Sequence, residues 1–203
     1  TNLETGGIAF EVPRRERRDT ELRACVLVDV SQSVLDTIDV EFVLAFLDRF
    51  QERNRSVRTF LFDTDIREVS EVFGNSKTTL REAVRTAGIE WGGGTRIGHA
   101  FDELLTTWPY AVDSRTMLLV ISDGLDVGDV DRLESAMATL SRRTAGTLWL
   151  NPLATSPDYE PVCRGMAAAL PHVDGLFAFT GIEDLGEITR QLEQQGLYGR
   201  IGY

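Results

Sequence analysis

The sequence has little of the chemistry with which proteins build disulfides or zinc sites. Its 203 residues contain two cysteines, Cys25 and Cys163, and two histidines. No CxxC motif and no Cys/His spacing accompanies them. Two isolated cysteines of this kind indicate small, reduced core residues, so the sequence predicts a cytoplasmic protein without a disulfide framework.

Long apolar runs and an excess of positive charge are also missing. No run approaches the ~18 apolar residues of a transmembrane helix, and no secretory leader is visible. Lys77 is the only lysine, and the formal net charge is −11. This acidic excess argues against binding to nucleic-acid phosphates or to anionic lipid, because both depend on lysine and arginine. The 42% of hydrophobic residues is enough for one substantial core.

What the sequence does have is a regular alternation of apolar and amphipathic segments. The apolar segments predict strands, and these lie at 23–30, 57–62, 66–73, 116–124, 146–152 and 175–180. The amphipathic segments predict helices, and these lie at 37–53, 80–88, 96–108, 129–143, 161–170 and 182–195. The first helix has Asp36 or Asp39 as its candidate cap. The polar turn at Asp63–Asp65 predicts a hairpin between the second and third strands.

This alternation predicts an α/β fold. Apolar, non-alternating strands separated by helices are typical of a parallel sheet covered on both faces. We expect a Rossmann-like, doubly wound, mostly parallel six-stranded sheet with one antiparallel edge strand and helices on both faces. The sequence predicts one domain at 21–196, preceded by an N-terminal arm at 1–20 and followed by a C-terminal tail at 197–203. Ligands of such sheets bind beyond the carboxyl ends of the strands, where the strand order reverses.

Oxygen-bearing side chains are concentrated at those strand ends. Asp29, Ser31 and Ser33 follow the first strand at alternate positions, and alternate residues of an extended segment point the same way. Asp123 follows the strand TMLLVI, and Thr95 ends the glycine-rich loop Gly92-Gly93-Gly94. The sequence therefore predicts that two carboxylates and three hydroxyls meet in one crevice.

Five hard oxygen donors favour a divalent cation. Mg²⁺ prefers oxygen ligands in octahedral geometry and keeps some of its waters, and Mn²⁺ or Ca²⁺ would also accept oxygen donors. Zinc would require cysteine or histidine in this motif, and neither is present. Because two aspartates formally balance a divalent charge and hydroxyls add none, the predicted site leaves one position for a carboxylate from another molecule.

This pattern resembles the metal-ion-dependent adhesion site of von Willebrand factor A (VWA) domains. The resemblance rests on Asp29-x-Ser31-x-Ser33, then Gly-Gly-Thr95, then Ser-Asp123-Gly, and the order of strands and helices fits over about residues 20–196. Within VWA proteins, the segments GGGTRIGHAF, ISDGLDVGD, LWLNPL and GMAAALPHVDGLF are similar to the CoxE-like branch.

The resemblance implies a role for each of these residues and a kind of partner. Ser31, Ser33 and Thr95 would contact the metal through their hydroxyls, and Asp29 and Asp123 would bind it directly or through water. An Asp or Glu of a protein partner would complete the coordination. CoxE-like proteins are associated with MoxR-type AAA+ ATPases and with the maturation of metalloenzymes such as carbon monoxide dehydrogenase. The implied function is thus a non-enzymatic adaptor in which the metal recruits the ATPase or its client.

Plainer interpretations of the same residues stay open at this point. One such interpretation is that Asp29 and the serines only cap the following helix. Another is that Asp123 belongs to an ordinary Asp-Gly turn. The GGGT loop lacks the order of a P-loop or a dinucleotide site. Three loop acids could bind a second ion or simply be solvated; these are Asp63, Asp65 and Asp126. His99 is predicted to be a packing residue or to lie behind the ligands.

Two other functions are compatible with parts of the motif. One is a Mg²⁺-dependent phosphatase or phosphotransferase with Asp29 as the nucleophile. Such enzymes present a second aspartate two residues later and a lysine for the phosphate, whereas this sequence has Ser31 there and Lys77 in a different loop. The other is a purely structural VWA-like domain with an unoccupied metal site, although here none of the ligand residues is lost.

Overall fold

The computed structural model describes residues 23–39, 42–43, 46–47, 56–71, 88, 94–155 and 159–180. Six strands lie in these ranges: β1 Arg23–Asp29, β2 Ser56–Phe62, β3 Ile66–Glu68, β4 Thr116–Ile121, β5 Gly146–Asn151 and β6 Gly175–Ala178. Four α-helices have both ends in them: α1 Gln32–Thr37, α2 Ile97–Thr107, α3 Val130–Arg143 and α4 Arg164–Ala169. Residues 42–43 and 46–47 are also helical. Short 3-10 turns follow β5 at Pro152–Thr155 and α4 at Leu170–His172. No helix within these ranges is long and apolar enough to cross a membrane.

The strands form one sheet in the order β3-β2-β1-β4-β5-β6. Every neighbouring pair is parallel except β2 and β3, which form the antiparallel edge. The predicted fold class is therefore confirmed, including the single antiparallel edge strand. In the sheet, β2 and β3 lie on one side of β1, and β4, β5 and β6 lie on the other side. The strand order thus reverses between β1 and β4, and the carboxyl ends of these two strands define the edge where a ligand is expected.

The central strand β1 is buried on both faces because a hydrophobic cluster lies on each side. Val26 and Val28 belong to one cluster, while Cys25 and Leu27 belong to the other, as expected for alternating side chains. Buried residues of α2, α3 and α4 pack in the second cluster, and Val34 of α1 packs in the first. Helices therefore cover both faces, which explains why the strands are apolar without alternation.

Several element boundaries differ from those that the sequence predicts. The third strand ends at Glu68, β4 ends at Ile121, and the helix predicted at 161–170 begins at Arg164. Because β4 stops early, Ser122–Gly124 form a loop rather than the end of a strand. The helix predicted to start near 37 is preceded by α1, which already begins at Gln32.

The start of that helical region also corrects one capping prediction. Asp36 lies inside α1 and accepts a hydrogen bond from the Gln32 side chain, so it caps nothing. Asp39 does act as a cap, because its carboxylate accepts from the backbone N–H of Phe42 at 3.1 Å. Most of the helix predicted at 37–53 lies outside the described residues. The helices predicted at 80–88 (apart from Gly88) and 182–195, the arm and the tail lie there too.

A glycine allows α2 and α3 to approach each other closely. A Cβ atom at Gly98 would lie 2.7 Å from the backbone nitrogen of Leu133 and 3.0 Å from the carbonyl oxygen of Asp129. Backbone atoms cannot rotate out of the way as a side chain can. The lack of a side chain at Gly98 therefore allows the start of α2 to lie close to α3. Thr95 comes just before this part of α2, so its position depends on the same contact.

We expect Gly98→Ala to destabilise the domain. Alanine improves intrinsic helix propensity by about 1 kcal/mol, but overpacking against fixed backbone typically costs about 1–3 kcal/mol. The net result should be a lower free energy of unfolding in urea. Thr107→Ala, at an exposed position in the same helix, is the control and should change the free energy of unfolding by less than about 0.5 kcal/mol. A Gly98→Ala protein as stable as the control would contradict the close packing.

Candidate metal centre

Asp29 is the last residue of β1 and is fully buried. Its Oδ1 accepts a hydrogen bond from the backbone N–H of Ser31 at 2.9 Å, and its Oδ2 accepts from the hydroxyl of Ser122 at 2.6 Å. The Ser122 hydroxyl in turn accepts from the N–H of Gly124 at 3.0 Å. These bonds hold the carboxylate in one orientation and tie the end of β1 to the loop after β4.

Burial governs the electrostatics of this carboxylate. Loss of solvent raises the pKa of Asp29 from 3.8 to about 7, against the lowering effect of its hydrogen bonds from Ser122 and Ser31. The negative charge of Asp123 raises this pKa further. A carboxylate in this position is costly to ionise by itself. A cation bound nearby would lower that cost, because it stabilises the ionised carboxylate.

Ser31 and Ser33 meet at the turn between β1 and α1. Ser31 has extended backbone angles at the N-terminal end of α1, and Ser33 lies in the first turn of that helix. Their hydroxyl oxygens are 3.3 Å apart. The sequence correctly predicts that the side chains converge, but the expected extended segment is wrong, because the chain turns into a helix immediately after Ser31. The Ser31 side chain makes no capping hydrogen bond, so simple helix capping does not explain it.

Asp123 lies in the loop after β4 and is 1% exposed. Its Oδ1 accepts from the N–H of Leu125 at 2.9 Å, as an aspartate in an Asp-Gly turn would. Its Oδ2 is buried and has no hydrogen-bond partner among the residues that the structure describes. An ionised oxygen in such a position is unfavourable without a cation or a donor. The ordinary turn therefore explains the hydrogen bond of Oδ1 but not the burial of Oδ2.

Thr95 precedes α2 and is 4% exposed. Its carbonyl oxygen accepts from the N–H of Val127 at 3.0 Å, and the N–H of Arg96 donates to the carbonyl of Asp63 at 3.0 Å. Gly94 before it has a φ of +82°, a backbone conformation that favours glycine. The Thr95 segment is thus attached to the loop after β4 on one side and to the β2–β3 turn on the other.

The hydroxyl residues of the predicted set open into one cleft of about 260 Å³ at this edge of the sheet. Its lining consists of Ser31, Gln32, Ser33, Asp63, Gly94, Thr95, Leu125 and Val127. The two buried aspartates are hydrogen-bonded to two residues of that lining, Asp29 to Ser31 and Asp123 to Leu125. The structure therefore brings all five predicted residues to one place. The donor set is entirely oxygen, which fits a hard divalent cation. Their role as metal ligands stays a prediction.

The other predicted residues have different surroundings. Asp126 accepts from the N–H groups of Ile97 and Gly128, so it caps the start of α2. The side chain of His99 is 39% exposed and lies near Asp65, so it is not a fully buried packing residue; a position behind the ligands stays a prediction. Asp63 lines the cleft.

Sequence reasoning missed two residues that position the centre. Ser122 links Asp29 to the loop after β4, although the sequence placed it only beside the motif. Asn151, the last residue of β5, donates from its amide to the carbonyl of Asp123 at 3.1 Å and to the Tyr159 hydroxyl at 2.9 Å. The signal for Asn151 was its position at the carboxyl end of the next strand. Trp149 is fully buried in the core, and its indole N–H also donates to the carbonyl of Ser122 at 2.8 Å.

The sequence also matches a known family. The match, over residues 1–193, is to the family described as VWA domain containing CoxE-like protein. The chain belongs to the CoxE-like VWA family. VWA domains generally act as protein-interaction modules. A comparison with curated proteins found no match.

Solved structures with this fold share little sequence identity with the CoxE-like chain. Proximal thread matrix protein 1 from the mussel byssus has a TM-score of 0.55 and 10% identity, over 87% of this chain and 48% of that one. A von Willebrand factor type A structure from Catenulispora acidiphila has a TM-score of 0.51 and 15% identity, over 85% and 42%. In both cases this chain spans less than half of the other. A second structure of the mussel protein, with a TM-score of 0.52 and 10% identity over 87% and 48%, has zinc in its metal-ion-dependent adhesion site. These likenesses establish the VWA fold.

The buried carboxylate predicts how the stability of the metal-free domain depends on pH. Because the pKa of Asp29 is higher in the folded state than its ordinary value, protonation favours folding. Its contribution is fully present below about pH 4 and is lost as the pH rises through about 7. In EDTA, Asp29→Asn should therefore be more stable than the wild type at about pH 8, with the difference shrinking towards about pH 5.

Thermal unfolding of both proteins across this pH range measures the effect. Asp36→Asn, which removes an exposed carboxylate from α1, is the control and should retain the wild-type pH dependence. An Asp29→Asn protein that follows the wild-type curve at every pH would contradict the electrostatic account.

Removing the Ser122 hydroxyl should weaken the centre without removing any predicted ligand. Ser122→Ala leaves Asp29 Oδ2 and the N–H of Gly124 without this partner, which should cost about 1–3 kcal/mol of stability. Loss of such supporting contacts typically lowers metal affinity about 10–100-fold. Titration calorimetry with Mg²⁺ tests this, with the exposed Ser114→Ala as control. Unchanged affinity in Ser122→Ala would show that Asp29 needs no support from the loop after β4.

Proposed function

We propose that this chain is a metal-dependent protein-interaction module that binds a partner carboxylate through a Mg²⁺ ion at the edge of the sheet. The observation that carries the proposal is the buried pair Asp29 and Asp123 behind a cleft lined by three hydroxyls. One oxygen of Asp123 has no donor within the described ranges. Neither the hydrophobic core nor the backbone turns require two buried carboxylates at this position. A bound cation would explain them, because two carboxylates balance its charge.

The five residues would have two different roles, contact with the ion and balance of its charge. Ser31, Ser33 and Thr95 present hydroxyls at the cleft, and these would contact the ion without adding charge. Asp29 and Asp123 supply the balancing negative charge, directly or through water. The bound ion would supply an electrophilic position for one external ligand. Since the protein carries a net charge of −11, a carboxylate of a partner would be repelled from most of its surface and attracted only near the cation.

The surroundings of the cleft favour a protein as the partner. Leu125 and Val127 line it and are 44% and 67% exposed, so apolar surface lies beside the position for the carboxylate. A protein that presents an Asp or Glu beside an apolar residue could use both features, whereas a nucleic acid or an anionic membrane would meet only the repulsive charge.

The family points to the class of that partner. We propose that the domain is a cytoplasmic adaptor of a MoxR-type AAA+ ATPase in metalloenzyme maturation, and that the ATPase or its client provides the carboxylate. The zinc-occupied site of the mussel protein supports the idea that this fold holds a cation at this edge. For the present chain, an all-oxygen donor set favours Mg²⁺, with Mn²⁺ or Ca²⁺ as substitutes.

The geometry does not favour the phosphatase alternative. A nucleophilic aspartate must reach the phosphorus atom with a free carboxylate oxygen. Asp29 is fully buried, and both of its oxygens already accept hydrogen bonds from Ser31 and Ser122. A carboxylate in this state can balance the charge of a cation but is poorly placed to attack a substrate.

Mg²⁺ titration into the metal-stripped domain, together with a partner-binding assay, tests the proposal. Saturable binding is expected for the wild type and should be lost in Asp29→Ala and Thr95→Ala, while Thr95→Ser should bind because it keeps the hydroxyl. A MoxR-type ATPase should co-purify with the wild type in Mg²⁺ but not in EDTA, and not with Asp29→Ala.

Asp36→Ala is the matched control, since it removes an exposed carboxylate of α1 near the cleft and should change neither result. Circular dichroism of each variant shows whether the fold is retained. Mg²⁺ binding without metal-dependent recruitment would contradict the adaptor role and favour a structural site. Recruitment that persists in EDTA and in Asp29→Ala would show that the interaction surface lies elsewhere.

A further inference from the structure

A second group of potential metal ligands lies beside the cleft and shares no residue with the centre described above. It consists of Asp65 in the turn between β2 and β3, and of His99 and Glu103 in α2. One ligand atom from each residue lies within 4.8 Å of the other two. His99 Nε2 and Asp65 Oδ1 are 3.7 Å apart, too far for a hydrogen bond.

The separation of His99 Nε2 from Asp65 Oδ1 is close to that of two ligand atoms on one ion. Ligand atoms at ~2.0–2.1 Å from a tetrahedral ion are ~3.3 Å from one another. His99 Nε2 and Asp65 Oδ1 would therefore need to approach by only a few tenths of an ångström. The Glu103 side chain is long and 27% exposed, so it can adjust its oxygen without moving the helix.

The backbone that carries the three residues is already held together. His99 and Glu103 are four residues apart in α2, which places their side chains on adjacent turns of one face. The turn that carries Asp65 is fastened to the start of that helix, because the N–H of Arg96 donates to the carbonyl of Asp63. Within the turn, the N–H of Asp63 donates to the carbonyl of Asp65. Binding would thus order side chains rather than backbone.

The local charge also favours a cation. Two carboxylates flank the imidazole, and the nearest positive side chain that the structure records at the group is Arg67. Its guanidinium is 3.9 Å from Glu103, and it also donates to the carbonyl of Ile66 at 2.8 Å. A contact of 3.9 Å between partly exposed groups contributes little. An ion can displace it while Arg67 keeps its bond to Ile66.

We propose that Asp65, His99 and Glu103 form a second cation site, selective for Zn²⁺ or a similar first-row transition-metal ion. One imidazole nitrogen and two carboxylate oxygens suit Zn²⁺, Co²⁺ or Ni²⁺ better than Mg²⁺, which prefers oxygen alone. The three side chains are partly exposed, so water completes the coordination. Because the same turn carries Asp63, which lines the first cleft, the bound ion ties one wall of that cleft to α2.

Nitrogen NMR of the two histidine side chains tests the site directly. In excess Mg²⁺, which occupies the Asp29 centre if that centre binds Mg²⁺, added Zn²⁺ should shift the His99 Nε2 resonance. The same shift is expected in Asp29→Ala, since the second site does not depend on the first. His172 is the internal control, because its Nε2 is buried and should not respond.

Zinc affinity measured by calorimetry in the Asp29→Ala background completes the test. His99→Ala should abolish the binding event, and Asp65→Asn and Glu103→Gln should each weaken it more than the roughly 10–100-fold typical of residues behind a ligand. Asp102→Asn, which removes a neighbouring carboxylate of α2 that pairs with Arg132 instead, should leave it unchanged. A His99 resonance that ignores Zn²⁺ would overturn the proposal. So would a zinc affinity unchanged by Asp65→Asn and Glu103→Gln, since that would describe a single surface histidine.

Discussion

The structure around the cleft depends on the burial of two carboxylates at the ends of neighbouring strands. Asp29 and Asp123 are excluded from solvent, and the charge of Asp123 adds to the burial that raises the pKa of Asp29. The chain places hydrogen-bond donors around them: the hydroxyl of Ser122 and the N–H groups of Ser31 and Leu125. These donors reduce the cost of burying the carboxylates without removing it. A divalent cation is the ligand that would remove it, and the hydroxyl-bearing residues Ser31, Ser33 and Thr95 line the adjoining cleft.

This arrangement depends on the relative positions of three separate segments. Backbone hydrogen bonds hold these segments together. The loop after β4 is joined to the Thr95 segment through Val127, and that segment is joined to the β2–β3 turn through Arg96 and Asp63. A glycine allows the first contact to be close, since a Cβ at Gly94 would lie 3.1 Å from Cγ2 of Val127. Backbone hydrogen bonds therefore connect the lining of the cleft to the start of α2 and to the antiparallel edge of the sheet.

The sequence was sufficient for the fold and for the placing of Asp29 and Asp123 at one edge of the sheet, because both depend on local and periodic signals. Buried parallel strands require long apolar runs, and the reversal of strand order places Asp29 and Asp123 at one edge. The sequence was insufficient for Ser122 and Asn151. Their roles depend on contacts between strands that are distant along the chain, such as Ser122 with Asp29. The neighbourhood of His99 and Asp65 was not predicted either, because the helical pattern of α2 does not show which turn lies beside it.

The most direct test of this account is a crystal structure of the domain grown with Mn²⁺, with anomalous diffraction used to locate the ion. The account predicts an anomalous peak within coordination distance of the hydroxyl oxygens of Ser31, Ser33 and Thr95, with Asp29 and Asp123 bound directly or through water. A well-ordered cleft without such a peak at saturating Mn²⁺, or a peak elsewhere on the domain alone, would contradict the central claim. The buried carboxylates would then be a structural feature of the fold rather than a cation site.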